Sequence, residues 1–260
     1  MADDRVPVAP SAAVVAPEPM PVPTEPPGRS LDRAAVLALA SMAADAAAQG
    51  SAPSAELSEA VGKRFSIALP FGCNGPAGDS SNAPMRWQYD DEAEALRFHI
   101  APVELALTEW WPDAPSLEIE AIEGFWIARP WTGSESCRSA GQTDMTNEAG
   151  TTSKTEETLA IVQIFASGGA RQNQRKGRPY TAVVRTARDG VRADEGFRLR
   201  LTGNIAAVPG GGAAVCRQAS GPDRRPICLI ATTLDTVTIE DAASGDTLVT
   251  WAEGSARQTE

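Results

Sequence analysis

Residues Leu96-Arg97-Phe98-His99-Ile100 alternate strictly between apolar and polar side chains. Phe65-Ser66-Ile67-Ala68-Leu69 and Trp87-Gln88-Tyr89 alternate in the same way, and the acidic run Asp90-Asp91-Glu92 separates Tyr89 from Leu96. A period of two is typical of a β-strand that buries one face, and a short polar run between two such stretches is typical of a turn. These stretches predict that the chain from residue 64 onward is built of β-strands.

Similar runs continue towards the carboxyl end. Further strands are predicted at Leu117 to Ile122, Gly124 to Ala128, Leu159 to Ala166, Tyr180 to Thr186, Phe197 to Thr202, Ile227 to Thr233, Val237 to Ile239 and Thr247 to Trp251. Turns rich in Gly, Pro, Asp and Asn separate them. About nine to eleven short strands predict a mainly β fold, an antiparallel sandwich or barrel. No helices of about ten to fifteen residues alternate with the strands, which argues against a doubly wound α/β fold.

The first part of the chain has a different composition. Phe65 is the first aromatic residue, and eight prolines fall within residues 1–29, interleaved with Ala, Val and Glu. This composition predicts a disordered Pro/Ala-rich tether over 1–29, an extended spacer that rises ~3.1 Å per residue. A ligand for a proline-recognising partner domain is the alternative. Residues 255–260 are expected to form a second disordered tail.

Residues 30–62 are predicted to be a helical segment. An Ala-rich helix should run from Leu31 to Gln49, with Ser30 as its cap and Gly50 just past its end. A short second helix is expected from Ser54 to Gly62. The first helix carries a narrow apolar stripe, formed by Leu31, Ala35, Ala38, Leu39, Met42 and Ala46. A stripe with so few large side chains indicates a helix that lies on the main domain or acts as a rod, and self-association is the alternative.

Residues 63–254 are predicted to form one all-β domain. Within it, Ser139 to Glu156 is rich in Ser, Thr, Gly and Glu and has no candidate core residues. A long mobile loop is therefore expected over 139–156.

Composition and charge restrict the function. The 260 residues are 42 % hydrophobic, which is enough to bury a core. Twenty-three basic and thirty-four acidic residues give a net charge of −11, so nucleic acid is not an expected partner. His99 is the single histidine, and neither a metal site nor a cofactor is predicted. No apolar run approaches the ~18 residues of a membrane span, so no transmembrane segment is expected.

The four cysteines point to two disulfides. They contain no Cys-x-x-Cys pair, which excludes the common zinc-site spacings. Cys73 and Cys137 each follow the end of a predicted strand, and Cys216 and Cys228 flank the turn sequence Ser220-Gly221-Pro222-Asp223. The preferred pairing is therefore Cys73 with Cys137 and Cys216 with Cys228. Four reduced, buried thiols are the alternative.

The compartment has two interpretations. Disulfides would place the domain in the periplasm or elsewhere in the cell envelope. The start, Met1-Ala2-Asp3-Asp4, lacks the basic and apolar regions of a signal peptide, and read literally it indicates a cytoplasmic protein. A proline-rich tail before a cysteine-paired domain is also what remains after a signal or membrane anchor is removed. The second interpretation is favoured.

Tryptophans cluster in the middle of the sequence. Four of the six lie within about twenty residues, at Trp110, Trp111, Trp126 and Trp131. With Arg129 they form a candidate aromatic binding surface, and Arg129 is close enough in sequence to stack on Trp131. Period two places Phe125 on the face opposite Trp126. The favoured alternative is a second small core beneath the loop at 110–115, because tryptophan is highly buried on average.

A basic stretch forms a candidate anion-binding loop. Its cations are Arg171, Arg175, Lys176 and Arg178. An anionic polymer or a lipid headgroup would be its ligand. Residues 171–200 contain nine basic and three acidic residues, whereas residues 61–156 contain seven basic and fifteen acidic ones. The favoured alternative is therefore a solvated loop that pairs with the chain's own acidic half.

No catalytic residue is predicted. His99 lies on the outward face of its strand beside Arg97, and no Gly-x-Ser-x-Gly or phosphate-loop motif occurs. The sequence favours a non-enzymatic binding or structural module of a bacterial-type cell envelope, with an envelope protein or a glycan as partner. One alternative is an extracytoplasmic hydrolase that uses carboxylates, with Glu120, Glu123 and His99 as candidates. A cytoplasmic β protein with reduced cysteines is the other.

A thiol assay tests the predicted pairing. Protein expressed under oxidising conditions and then denatured should show no reactive sulfhydryl, because all four cysteines are paired. Peptide mapping should recover Cys216 linked to Cys228 and Cys73 linked to Cys137. Four titratable thiols would contradict both pairs and would support the cytoplasmic alternative.

Overall fold

The computed structural model describes part of the chain and confirms a mainly β fold. The described residues are 30–78, 80–112, 118–137, 157–168, 174–191, 195–218, 221 and 223–252. The tether at 1–29, the loop at 139–156 and the tail at 255–260 lie outside them. Strands make up 42 % and helices 15 % of the chain.

Eleven strands and three α-helices lie in the described part of the chain. The strands are β1 (Arg64–Phe71), β2 (Met85–Asp90), β3 (Ala95–Ile100), β4 (Val103–Glu104), β5 (Ile119–Trp126), β6 (Leu159–Ala166), β7 (Tyr180–Arg185), β8 (Phe197–Ile205), β9 (Ala214–Arg217), β10 (Ile227–Asp241) and β11 (Thr247–Ala252). The helices are α1 (Arg33–Gln49), α2 (Ala55–Glu59) and α3 (Leu107–Trp110), and a 3₁₀ turn spans Arg188–Gly190.

The strands form two sheets that pack as a sandwich and not as a closed barrel. The larger sheet has the order β1-β8-β10-β6-β5-β4, and β9 and β11 also pair with β10. The smaller sheet has the order β2-β3-β7. Neighbouring strands are antiparallel except for β6 and β10, which run parallel. The predicted antiparallel sandwich is confirmed, with this one parallel pair as an addition.

Strand β10 joins the two halves of the larger sheet. Its first part, at Ile227–Ala231, pairs with β6 and β9, and its second part pairs with β8 and β11. The register shifts between Leu234 and Thr236. Two separate strands were predicted here. The structure has one continuous strand, and the predicted break corresponds to this register shift.

The main core lies between the two sheets. The ring of Phe197 contacts those of Phe71, Trp87 and Phe98, at centroid separations of 5.8, 5.3 and 4.9 Å. Leu96, Phe98 and Ile100 are all buried, as their alternation predicts. The apolar faces of β1, β3 and β8 therefore meet in one aromatic cluster.

A second core lies on the opposite face of the larger sheet. Its buried members are Trp110, Trp111, Ile119, Ile122, Ala160, Val162, Val208, Leu229 and Ala231. In β10, Cys228 and Ile230 face the main core, while Leu229 and Ala231 face the second. Strands buried on both faces have continuous apolar sequences, which explains the run at Leu159 to Phe165.

Helix α1 lies on the domain but begins later than predicted. Asp32 is its N-cap, and the Asp32 carboxylate accepts the N–H of Ala35 at 2.9 Å. The cap assigned to Ser30 is wrong, because Leu31 pairs with Phe65 as an added strand residue. Gly50 ends the helix in the left-handed conformation, as predicted. The buried face consists of Arg33, Val36, Leu39, Ala40, Ala43 and Ala44. Of the predicted stripe, Leu39 is buried and Leu31 and Met42 pack partly buried against the main core, but the stripe misses the rest of the buried face.

The free edge of β1 is covered by three different groups. The N–H of Ser66 donates to Leu31 O at 2.9 Å, and the N–H of Ala68 donates to the carboxylate of Glu135 at 2.8 Å. Pro70 occupies the next outward position and has no N–H to satisfy. This edge therefore presents none of these donors to solvent.

Gly203 marks a close approach between β8 and β10. A Cβ at this position would lie 1.9 Å from the carbonyl oxygen of Thr233. We expect Gly203→Ala to lower the free energy of unfolding by about 2–3 kcal/mol, because the backbones would have to separate. Urea denaturation measures this change. Gly78→Ala is the matched control, since its Cβ meets nothing within 4 Å, and equal midpoints for both variants would contradict the close approach.

Candidate functional site

A loop that presents one exposed tryptophan leaves the end of β5. Ile127 is still held in the main core, and the chain then departs from the sheet and reaches Cys137. We call residues 128–137 the tryptophan loop. The Trp131 side chain in this loop is 64 % exposed. Exposed tryptophans are uncommon because of the large apolar area they leave in water.

A buried arginine fixes the first half of the tryptophan loop. Arg33 is only 2 % exposed, although it carries a charge. Its guanidinium donates to Ala128 O at 2.7 Å, Thr132 O at 2.9 Å, Arg129 O at 3.2 Å and Ala68 O at 3.4 Å. Burial lowers the pKa of Arg33, and the carboxylate of Glu135 opposes that effect. Helix α1, strand β1 and the loop are thus joined by one side chain.

The loop also closes on itself through Arg129. Its backbone has a φ of 49°, in the left-handed region that residues with a Cβ seldom adopt. The Arg129 carbonyl accepts the N–H of Thr132 at 3.2 Å, and the Arg129 guanidinium donates to Ser136 O at 2.5 Å. The turn at Pro130 and Trp131 is therefore held from both ends.

Glu135 connects the second half of the loop to the larger sheet. Besides accepting the Ala68 N–H, its carboxylate lies 3.9 Å from the guanidinium of Arg200. Arg200 in turn binds Glu240 and donates to the hydroxyl of Ser66 at 3.2 Å. Hydrogen bonding to Glu240 raises the pKa of Arg200. This chain of polar contacts anchors the loop to β1, β8 and β10.

A disulfide fixes the end of the loop. Cys137 is bonded to Cys73, with the two Cα atoms 5.4 Å apart. Gly196 fits beside this bond, because a Cβ there would lie 2.9 Å from the sulfur of Cys137. The predicted pairing of Cys73 with Cys137 is present, and Cys216 is bonded to Cys228. The described part of the chain contains no free cysteine.

The other three tryptophans of the predicted aromatic surface are buried or half-buried, unlike Trp131. Trp110 and Trp111 are buried in the second core, and Trp126 is half-buried against it. These three residues do not form an exposed surface with Trp131, and the favoured alternative of a second small core describes two of them. Arg129 does not stack on Trp131 among the described contacts, since its guanidinium binds Ser136. Sequence alone could not separate the four, because burial depends on which loop covers them.

The basic loop is held by a buried carboxylate. Glu123 is 3 % exposed, and its two oxygens accept the backbone N–H groups of Arg175 and Lys176, each at 2.7 Å. The Arg175 guanidinium lies over the ring of Tyr180, 4.1 Å from its centroid. Arg178 is exposed and donates to Arg175 O.

This arrangement joins the basic stretch to Glu123, which belongs to the chain's own acidic half. Arg175 is half-buried and used internally, whereas Lys176 and Arg178 are exposed. Arg171 lies outside the described residues. No sequence signal marks the burial of Glu123.

The residues of the hydrolase alternative are not brought together. Glu120 and Glu123 lie on β5 in the larger sheet, while His99 lies on β3 in the smaller one. Both oxygens of Glu123 are occupied by backbone donors. Partial burial and the nearby Arg86 lower the pKa of His99. The three therefore do not make a shared active site.

A small cavity lies beside Glu123, between the sheets. Gln163, Arg175 and Tyr180 line it along with Glu123, and burial raises the pKa of Tyr180. Its volume of about 10 Å³ leaves room for roughly one water molecule. A cavity of this size does not admit a substrate. The described residues also contain no group of three or more His, Cys, Asp or Glu side chains that could hold a metal ion.

Comparisons with family models, curated proteins and solved structures find no match to this chain. Among the described residues, no helix has both the length and the apolar character needed to span a membrane. The site therefore has to be interpreted from its own geometry.

Arg33 is expected to be the main stabilising contact of the loop. We expect Arg33→Ala to lower the free energy of unfolding by at least about 2 kcal/mol, because several carbonyls would lose their donor in a dry environment. Arg33→Lys should recover part of the loss. Urea denaturation measures both, with Arg178→Ala as an exposed-arginine control. An unchanged midpoint for Arg33→Ala would contradict the role assigned to Arg33.

Proposed function

We propose that this chain is a non-enzymatic binding or structural module of a bacterial-type cell envelope, and that Trp131 is its binding anchor. The observation that carries the proposal is the combination of high exposure at Trp131 with a loop fixed by Arg33, Glu135 and a disulfide. A surface loop that binds nothing requires neither an exposed indole nor so many contacts that fix its conformation. The periplasm is the compartment we propose.

Rigidity favours binding because it reduces the entropy lost when a complex forms. Tryptophan is enriched among the few residues that dominate interface energies, and its flat ring also stacks on sugar rings. The partner that we propose is accordingly an envelope protein or a glycan. Thr132 and Ser134 follow Trp131 in the loop, and their hydroxyls accept the backbone N–H groups of Ser134 and Ser136.

The two disulfides support a location outside the reducing cytoplasm. Together they use all four cysteines of the chain. Disulfides persist in oxidising compartments and are rare in the cytosol. The cytoplasmic alternative requires reduced thiols and is disfavoured on that ground. The net charge of −11 is unfavourable for nucleic acid and leaves proteins and glycans as the partner classes.

Trp131→Ala tests the anchor. We expect this variant to keep the wild-type unfolding midpoint and to bind its partner at least about tenfold more weakly, as loss of a dominant interface tryptophan does. The probes are purified peptidoglycan, an array of immobilised glycans, and detergent-solubilised envelope proteins captured by cross-linking. Binding to the first two identifies a glycan, and binding to the third alone identifies a protein.

Val61→Ala is the matched control, because Val61 is also an exposed apolar residue, at 38 %. It should bind as the wild type does. If Trp131→Ala and Val61→Ala bind equally well to every probe that the wild type binds, Trp131 is not the anchor. A screen for glycan and ester hydrolysis with the same preparations tests the enzymatic alternative, and turnover by the wild type would overturn the non-enzymatic assignment.

A further inference from the structure

Among the described residues, no strand pairs with the outer edge of β7 in the smaller sheet. The N–H of Thr186 donates to Glu94 O, so the even-numbered residues of this strand direct their backbone groups towards β3. The backbone groups of Thr181, Val183 and Arg185 therefore point away from the sheet. Within the described residues these outward groups have no backbone partner. Three consecutive outward positions thus offer both a donor and an acceptor.

Three other outer strands, β1, β2 and β9, show how this protein covers an edge. The edge of β1 is closed by Leu31, Glu135 and Pro70, as described above. The edge of β2 is closed by the N–H of Ala77, which donates to Trp87 O at 2.8 Å. Helix α1 packs against β9.

Within the described part of the chain, β7 lacks most of the usual edge protections, and its one charged residue is Arg185 at the end of the strand. It contains no proline, lysine or bulge, and its register with β3 is regular. Val183 in its centre is 58 % exposed. Strand β11 approaches its beginning, where Trp251 meets Tyr180 at 5.2 Å between ring centroids, but makes no ladder with it. A strand edge that has no proline, lysine or bulge and exposes a valine is suited to pairing with a further strand.

We propose that β7 pairs antiparallel with β7 of a second copy of this chain, in a two-fold arrangement centred on Val183. In this register Val183 lies opposite Val183 of the second copy, and Thr181 lies opposite Arg185. Each outward residue then exchanges two hydrogen bonds with its opposite number, about six in all. No like charges face each other directly, and a β-branched pair lies at the centre.

The neighbouring registers are worse for reasons visible in the sequence. A centre at Arg185 would place the two Arg185 side chains opposite each other. A centre at Thr181 would place Val183 opposite Pro179, which has no N–H to donate. A centre at Ala182 would place Arg185 opposite Pro179, and a centre at Val184 would place Thr181 opposite Ala187, beyond the end of β7. Of these registers, the one centred on Val183 alone pairs the three outward residues of β7 with one another. This self-complementarity is the reason to assign the edge to a second copy and not to an unrelated strand.

The inner face of the strand supports the same arrangement. Ala182 and Val184 are partly buried against the main core. In the dimer, Ala182 of one copy would lie opposite Val184 of the other copy. The result is a six-stranded sheet shared by two subunits, with an isologous interface. The dimer would carry two copies of the tryptophan loop. The interface is separate from Trp131, so this inference goes beyond the proposed function.

Sedimentation velocity of the full chain over a wide concentration range tests the proposal. Wild type should show a monomer–dimer equilibrium. Val183→Pro should weaken dimerisation at least tenfold, because it removes an outward N–H and leaves the ladder with β3 intact. Val183→Lys should weaken it as much by placing two cations opposite each other. Val183→Thr keeps the N–H and the β-branch and should dimerise as the wild type does.

Hydrogen exchange locates the interface independently of any variant. The amides of Thr181, Val183 and Arg185 should gain protection as the concentration rises, while those of Ala182 and Val184 are protected throughout. A wild type that stays monomeric at every concentration overturns the proposal. So does a dimer that persists in both Val183→Pro and Val183→Lys, or one in which the three odd-numbered amides exchange freely. Trp131→Ala should dimerise normally, which separates this test from that of the binding anchor.

Discussion

The larger sheet depends on the complete burial of residues 228–231 in β10. These residues face one core with one set of side chains and the other core with the alternate set. No water is available there, so every backbone N–H and C=O needs a protein partner. Strand β6 supplies the partners on one side and β9 on the other. The parallel β6–β10 pair and the cross-strand disulfide both follow from this requirement.

The disulfide fits the ladder position that it occupies. The N–H of Cys228 donates to Thr158 O on the β6 side, so Cys228 and Cys216 form a pair without hydrogen bonds between them. Such pairs bring their Cα atoms closest together, and here the distance is 4.1 Å. The disulfide therefore links β9 to β10 at a ladder position that has no hydrogen bonds between the two strands.

Most of the strands and both disulfides could be predicted from the sequence, because alternation and turn residues are local signals, whereas the short strand β4 was not among the predicted strands. Arg33 and Glu123 could not be predicted in the same way. The carbonyls that Arg33 binds on the tryptophan loop lie 95–99 residues further along the chain, and the amides that Glu123 binds lie 52 and 53 residues away. Pattern analysis assigns a charged residue to solvent unless its partner is local. The predicted apolar stripe of α1 omitted Arg33 for this reason, although Arg33 lies on the buried face of the helix.

The candidate site was predictable only in part. The sequence marked Trp131 and Arg129, but it grouped them with tryptophans that the fold buries. The groups that hold the loop, Arg33 and Glu135, carry no motif. They also close the edge of β1, so the same two side chains both complete the sheet and fix the loop. A change that loosened the loop would expose backbone donors of β1.

The separation between Ser66 and its contact Arg200 has a consequence for how the chain is made. These residues are 134 positions apart, and β1 has no ladder partner before β8. Contacts between distant segments form slowly, because the entropy of closing the intervening chain has to be overcome first. Strand β1 consequently cannot join its sheet until β8 has been synthesised. A hairpin such as β2–β3, by contrast, can form as soon as its own residues have been made, because its two strands are adjacent in sequence.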